Sequence, residues 1–237
     1  MRIGRKECGS SLSKGFRAQR LSRLRLSLIG ASTLIALAGL LFPQTAGAAP
    51  AAPELAITVR VYDYAQTSPS ILDAAEREAG RIFGQAGLKL VWLDCMPEPA
   101  TPPPDPCKGV IESEDVRLRI LPTPVQNFLQ DTVFGFAIAP ALATVYYETA
   151  LSFAKYDHSE FEAPVVLGCA IAHEIGHLLL GSNAHSFSGI MRARWERDKI
   201  QLALTGGLLF TPSQAKLMHA EMQRRLMSQL VNSKERP

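Results

Sequence analysis

The sequence predicts an α+β domain: a mixed, twisted sheet packed on helices, with one buried central helix and a helical C-terminal part. Three observations lead there. Short alternating segments rich in β-branched and aromatic residues recur between residues 55 and 150. The stretch APVVLGCAIAHEIGHLLLG (163–181) is almost wholly apolar, as a helix buried on all sides would be. After it the chain becomes charged and keeps a helical period to its end.

Taken in order, LAITVRVYDYA (55–65) alternates and reads as a strand. PSILDAAEREAGRIFGQAG (69–87) places Ile71, Leu72, Ala75, Ala79, Ile82 and Phe83 at helical spacing, and Gly87 suits its end. LKLVWLD (88–94) and DVRLRIL (115–121) are two further strands. VFGFAIAP (133–140) and ATVYYETA (143–150) read as another pair, with Thr144, Tyr146 and Glu148 on one face of the second. In the central helix Pro164 fits the first turn and Gly181 the stop. RARWERDKIQLAL (192–204) is expected to be helical. So is TPSQAKLMHAEMQRRLMSQL (211–230), where Thr211, Pro212 and Gln214 match a capping box.

Residues 1–48 read as a secretory signal. Eight Lys and Arg against the single Glu7 precede an apolar run from Leu26 to Phe42, and Ala46-Gly47-Ala48 is a small-x-small cleavage pattern. The alternative, an uncleaved membrane anchor, has a run short of ~20 residues and diluted by Gly30 and Gly39. Cleavage after Ala48 would remove eight of 25 basic and one of 22 acidic residues, taking the net charge from +3 to about −4. The basic excess thus belongs to the targeting segment, there is no nucleic-acid motif, and no nucleic-acid partner is expected. Residues 49–237 are enough for one domain, with 55–181 as an upper subdomain and 182–237 as a lower helical one. Export to the periplasm or the medium, membrane contact only through an uncleaved signal, and a monomeric state are the corresponding expectations. In an exported chain Cys95 and Cys107, which flank the proline-rich MPEPATPPPDP, are a plausible disulfide.

The chemistry concentrates in CAIAHEIGHLLLGSNAHSFSGIM (169–191). His173 and His177 stand four apart on a helix, so one face can offer two imidazole nitrogens to one ion. Zinc takes such ligands in tetrahedral geometry, and Glu174 flanks the pair where it can accept a proton from water. A catalytic site needs a third ligand and an open corner. His185 is the candidate, because Gly181-Ser182-Asn183-Ala184 is turn-forming and can bring the chain back. Met191 would then pack beneath the ligands in a turn made by Gly189-Ile190-Met191. Cys169 lies one turn earlier on the same face, and ligands spread over that much helix cannot all reach one tetrahedral ion, so it reads as a small core residue. His158 and His219 lack metal-like spacing and read as surface or structural. Glu196, nineteen residues after His177, is the rival third ligand, although RARWERDK is the composition of a solvated face.

These residues resemble the metzincin type of zinc metalloprotease, whose helix reads HExxHxxGxxH before a methionine turn. Here the pattern is stretched to HExxHxxxGxxxH, one residue longer before Gly181 and one before His185. The segments HEIGHLLLG and GIMRA also resemble a family of exported bacterial proteins, and the Glu196 spacing resembles gluzincin peptidases. The metzincin resemblance implies a metzincin-like catalytic domain and an endopeptidase acting on protein or peptide. One catalytic Zn2+ would sit on His173, His177 and His185, lowering the pKa of a bound water. Glu174 would be the general base, and Met191 the floor of the site. It also implies an extended substrate lying on an edge strand, for which residues 143–148 are the candidate. The reading of a different class is a non-catalytic exported zinc-binding domain.

Overall fold

The computed structural model describes residues 54–95, 106–124, 133–155, 163–195 and 197–234. Residues 1–48, expected to be a signal segment, His158, Glu196 and most of the proline-rich stretch lie outside them. Five strands form one sheet: β1 (Ala56–Asp63), β2 (Lys89–Asp94), β3 (Asp115–Leu121), β4 (Gly135–Ile138) and β5 (Leu142–Tyr146). Their order is β2-β1-β3-β5-β4, with every neighbouring pair parallel except β4–β5. The helices are α1 (Pro69–Gln85), α2 (Tyr147–Lys155), α3 (Ala163–Leu180), α4 (Arg197–Leu204) and α5 (Pro212–Lys234). The sheet is therefore mixed and the domain α+β, as its sequence predicts.

Three expectations are corrected. The segment 143–150 is strand only as far as Tyr146, and α2 takes over at Tyr147. It is also not an edge, because β5 is paired on both sides, to β3 and to β4. The physical reason is length. β3 ends at Leu121, opposite Tyr146, so the next residues of β5 would have no partner strand. The chain turns there, and the Glu148 amide donates to the carbonyl of Pro122. The edge on this side of the sheet is β4, and the opposite edge is β2. Likewise, of residues 192–204, the stretch 192–195 is not helical and α4 spans Arg197–Leu204, because Ile190, Met191 and Trp195 hold the earlier residues in the turn described below.

The core forms where α1 and α3 meet the sheet. Ile57, Val59 and Val61 of β1, Val116, Leu118 and Ile120 of β3, and Ala143 and Val145 of β5 are all buried. α1 buries Ala75, Ala79, Ile82 and Phe83, the face its period predicts. α3 is long and apolar enough to cross a membrane, but 83% of it is buried inside the domain, which makes it the core helix. On the other side of β1, the buried Arg60 pairs with Asp115 at 2.6 Å. Arg60 also donates to the carbonyls of Cys107, Gly109 and Val110. The expected disulfide joins Cys95 to Cys107, so the loop after β2 is fastened both covalently and by this guanidinium.

α5 opens with the expected capping box. The Thr211 amide donates to Gln214 Oε1 at 2.9 Å and the Gln214 amide to Thr211 Oγ1 at 3.3 Å. Farther along, buried Arg225 donates to the carbonyls of Leu178 (2.6 Å) and Pro140 (3.3 Å) while its Nε meets Glu221. One side chain thereby ties α5 to the end of α3 and to the β4–β5 turn. His219 has a structural role, with Nε2 2.7 Å from the Ala86 carbonyl at the end of α1. Cys169 is buried in the core, and burial pushes its thiol up in pKa.

Candidate metal centre and cleft

α3 presents His173, Glu174 and His177 near its C-terminal end, and the chain after it supplies the rest. The helix stops at Gly181, whose φ of 95° an L side chain rarely adopts. The Gly181 amide bonds back to the His177 carbonyl, and its own carbonyl lies 3.2 Å from His177 Nδ1. The chain then reverses. Ser186 donates its amide to the Met191 carbonyl, closing the 186–191 loop, and Ile190 donates to the Leu209 carbonyl. This places the Ile190 carbonyl 2.8 Å from His173 Nδ1 and 3.2 Å from the indole Nε1 of Trp195.

The reversal brings His185 to the other two imidazoles. His177 Nε2 is 3.1 Å from His173 Nε2 and 3.2 Å from His185 Nε2, and the three ligating nitrogens lie within 4.8 Å of one another. A carbonyl can only accept, so the Nδ1 atoms of His173 and His177 hold the ring protons. Burial lowers the pKa of both, His173 to about 4, which keeps them neutral. Their Nε2 atoms therefore meet lone pair to lone pair, and the short contact between them is not a hydrogen bond. Four ligands ~2.0–2.1 Å from a tetrahedral centre stand roughly 3.3 Å apart, close to the two separations that His177 makes here, while His173 and His185 lie farther from each other. Three imidazoles suit zinc and related transition ions rather than calcium or magnesium. The residues present thus fit a metal ion of that kind.

Glu174 is buried, and burial pushes its carboxyl up to about 8. It lies against Gly135 of β4, where a Cβ would come within 2.9 Å of Glu174 Cγ and would also meet the Thr144 carbonyl. The missing side chain lets the edge strand approach the carboxyl-bearing helix. The Tyr146 amide donates to the Phe134 carbonyl, and Phe136 and Ile138 stand opposite Thr144 and Leu142. By the alternation of an antiparallel ladder, the backbone groups of Gly135 and Ala137 then point to the open edge. Between this edge and the reversed chain lies a cleft of about 310 Å³, lined by residues 133–137, His173, Glu174, His177, Ser182, His185, Arg192, Ala193 and Trp195.

Met191 is fully buried under α3, against Gly176 and close to Phe210. Sequence reasoning did not single out Gly135, Arg192 or Trp195. Trp195 packs on Phe134 (4.9 Å between ring centroids) and edge-on to His173 (5.8 Å), forming an aromatic wall. A lone tryptophan within RARWERDK was the available signal, since a purely solvated face has no use for one.

No protein-family model matches the chain, and no curated protein does either. Among solved structures it is similar to a zinc-dependent peptidase from Methanocorpusculum labreanum (strain Z), at 15% identity and a TM-score of 0.48, over 68% of this chain and 99% of that one.

Proposed function

We propose that this chain is an exported zinc-dependent endopeptidase, with His173, His177 and His185 as metal ligands and Glu174 as general base. The observation that carries the proposal is the convergence of the three Nε2 atoms, two of them stripped of protons by carbonyl partners on the far side of each ring. Such an arrangement of lone pairs is favourable only around a cation. A zinc ion there would supply Lewis acidity for the water and the scissile carbonyl, and positive charge that favours Glu174 as carboxylate.

The remaining steps belong to the chain itself. The open backbone groups of Gly135 and Ala137 receive an extended peptide on β4 and hold its backbone beside Glu174. Glu174 takes the proton of the attacking water and returns it to the leaving amine. The aromatic wall of Phe134 and Trp195 keeps bulk water from the reacting groups, which strengthens each electrostatic contact.

Metal analysis of the purified protein, with a casein digest run with and without chelator, tests the proposal. One zinc per chain and chelator-sensitive hydrolysis are expected. Glu174→Ala should retain the metal while turnover falls by roughly 10²–10⁴. Hydrolysis near the wild-type rate in that variant would refute the role of Glu174. A zinc-loaded wild type that cleaves nothing would favour a non-catalytic zinc-binding domain instead.

A further inference from the structure

The cleft holds a charged residue for which the hydrolytic steps have no use. Arg192 follows directly on Met191, so the turn that seats the thioether beneath α3 also sets Arg192 in the cleft wall. It is half-buried, and among the described residues it makes no hydrogen bond and no ion pair. The fully buried guanidiniums of this domain behave differently: Arg60 is matched by Asp115 and Arg225 by Glu221. Arg192 has donors to spare.

Its surroundings in the cleft sharpen the point. Among the described residues Glu174 is the only acid in the lining, and apart from Arg192 and the three imidazoles the rest carries no ionisable side chain. Arg192 forms no ion pair with Glu174 although both line the cleft, so it is not that carboxyl's counter-ion. Its charge stands unmatched in the cleft wall, where a neighbouring part of a substrate would lie. Residues 49–237 carry more acids than bases, so this positive charge does not follow from an overall basic composition. A guanidinium offers a planar fork of N–H donors that fits a carboxylate with two parallel bonds, and a cleft partly shielded from water strengthens the contact.

We infer that Arg192 is a specificity-determining residue that receives a carboxylate of the peptide substrate close to the cleaved bond. The inference rests on the peptidase reading and narrows it to acidic substrates. The carboxylate has two sources, an Asp or Glu side chain beside the bond or the free C-terminus of a short peptide.

Two sets of synthetic hexapeptides separate them. One set is blocked at both ends and differs only as Glu, Gln or Lys at positions flanking the cleaved bond. The other carries no acidic side chain and differs only as free acid or amide at the C-terminus. Rates are measured with zinc-loaded wild type, Arg192→Gln and Arg192→Glu. Dissociation constants are measured by calorimetry with zinc-loaded Glu174→Ala, with and without Arg192→Gln, so that binding is read without turnover.

The wild type should prefer the carboxylate member of one set by roughly tenfold or more in kcat/KM, and the Glu174→Ala protein should show the same preference in Kd. Arg192→Gln should bring that ratio close to one, and Arg192→Glu should turn the preference toward Lys at the same position. Bound zinc should be unchanged in each variant, which separates a lost contact from a lost fold. A preference in the blocked set assigns a side chain, and one in the second set assigns the C-terminus. Equal rates and equal Kd values in both sets, or a preference that survives Arg192→Gln, would overturn the inference. Binding that discriminates without cleavage would keep the carboxylate site and remove the peptidase. Cleavage without discrimination would do the reverse.

Discussion

Met191 occupies the space that a side chain at Gly176 would need: a Cβ there would come within 2.8 Å of Sδ. Gly176 stands between Glu174 and His177 on α3, so the thioether supports the helix at the turn that presents the site. Phe210 closes the same space from another direction, also at 2.8 Å. The glycine inside HEIGH is thus a packing requirement.

Gly176→Ala should therefore destabilise the domain by about 1–3 kcal/mol, the usual range for an overpacked core. Helix propensity alone would give the opposite sign, a gain of about 1 kcal/mol. Urea unfolding of the metal-free protein separates the two, and a raised midpoint would show that the floor of the site yields without cost.

Gly181→Ala acts through backbone conformation. With φ at 95°, an alanine at this position is expected to cost roughly 1–2 kcal/mol. Any shift of the Gly181 carbonyl would loosen its hold on His177 Nδ1. Zinc affinity, read by competition with a chelating dye, should fall about tenfold, the lower end for loss of an outer partner of a ligand.

Replacing Cys95 and Cys107 together by alanine should remove about 3 kcal/mol of stability, the loop-closure contribution for a separation of 12 residues. Adding reductant to the wild type should lower its thermal midpoint to about that of the double variant. A midpoint indifferent to reductant would mean that Arg60, through the carbonyls of Cys107, Gly109 and Val110, holds this loop without the covalent link.

Glu76 supplies a pH dependence remote from the metal ligands. Burial, then the nearby Asp73 and Asp94, raise its pKa from 4.5 to about 7. A carboxyl raised in the folded state binds its proton more tightly there than in the unfolded chain. Its contribution therefore favours folding below about pH 4.5 to 7 and turns into a penalty as pH rises through that window. Glu76→Gln should stabilise the protein at pH 8 by roughly 1 kcal/mol, an amount reduced because solvent screens a half-buried group, and should do little at pH 4.5. Urea midpoints across that range give the comparison, and an equal gain at both ends would rule out titration as the cause.

Much of the site was legible because its information is local. The four-residue spacing of His173 and His177 is a property of any helix, and the turn chemistry of residues 181–184 announces a reversal within reach of His185. The bounds of β3, from Asp115 to Leu121, follow from alternation alone. What escaped depends on partners distant in sequence. Tyr146, Tyr147 and Thr149 are good strand formers, yet the strand ends at Tyr146 because β3 has run out. The identity of the edge depends on which strand joins last, and no periodicity within 133–146 encodes it. Trp195 was read as part of a helix because the pull of the Ile190 carbonyl on its indole is invisible to propensity. Gly135 is explained only when Glu174 arrives from 39 positions away in the chain.

Arg225 lies 47 residues beyond Leu178 and bonds both to that residue's carbonyl and to the carbonyl of Pro140. Those two acceptors belong to the helix that presents the imidazoles and to the hairpin that presents the edge. The spacing between that helix and that hairpin is consequently gauged by a strut on the last helix, well away from the three imidazoles. Sequence drift along α5 could widen or narrow that spacing while leaving every residue of the HEIGH segment untouched.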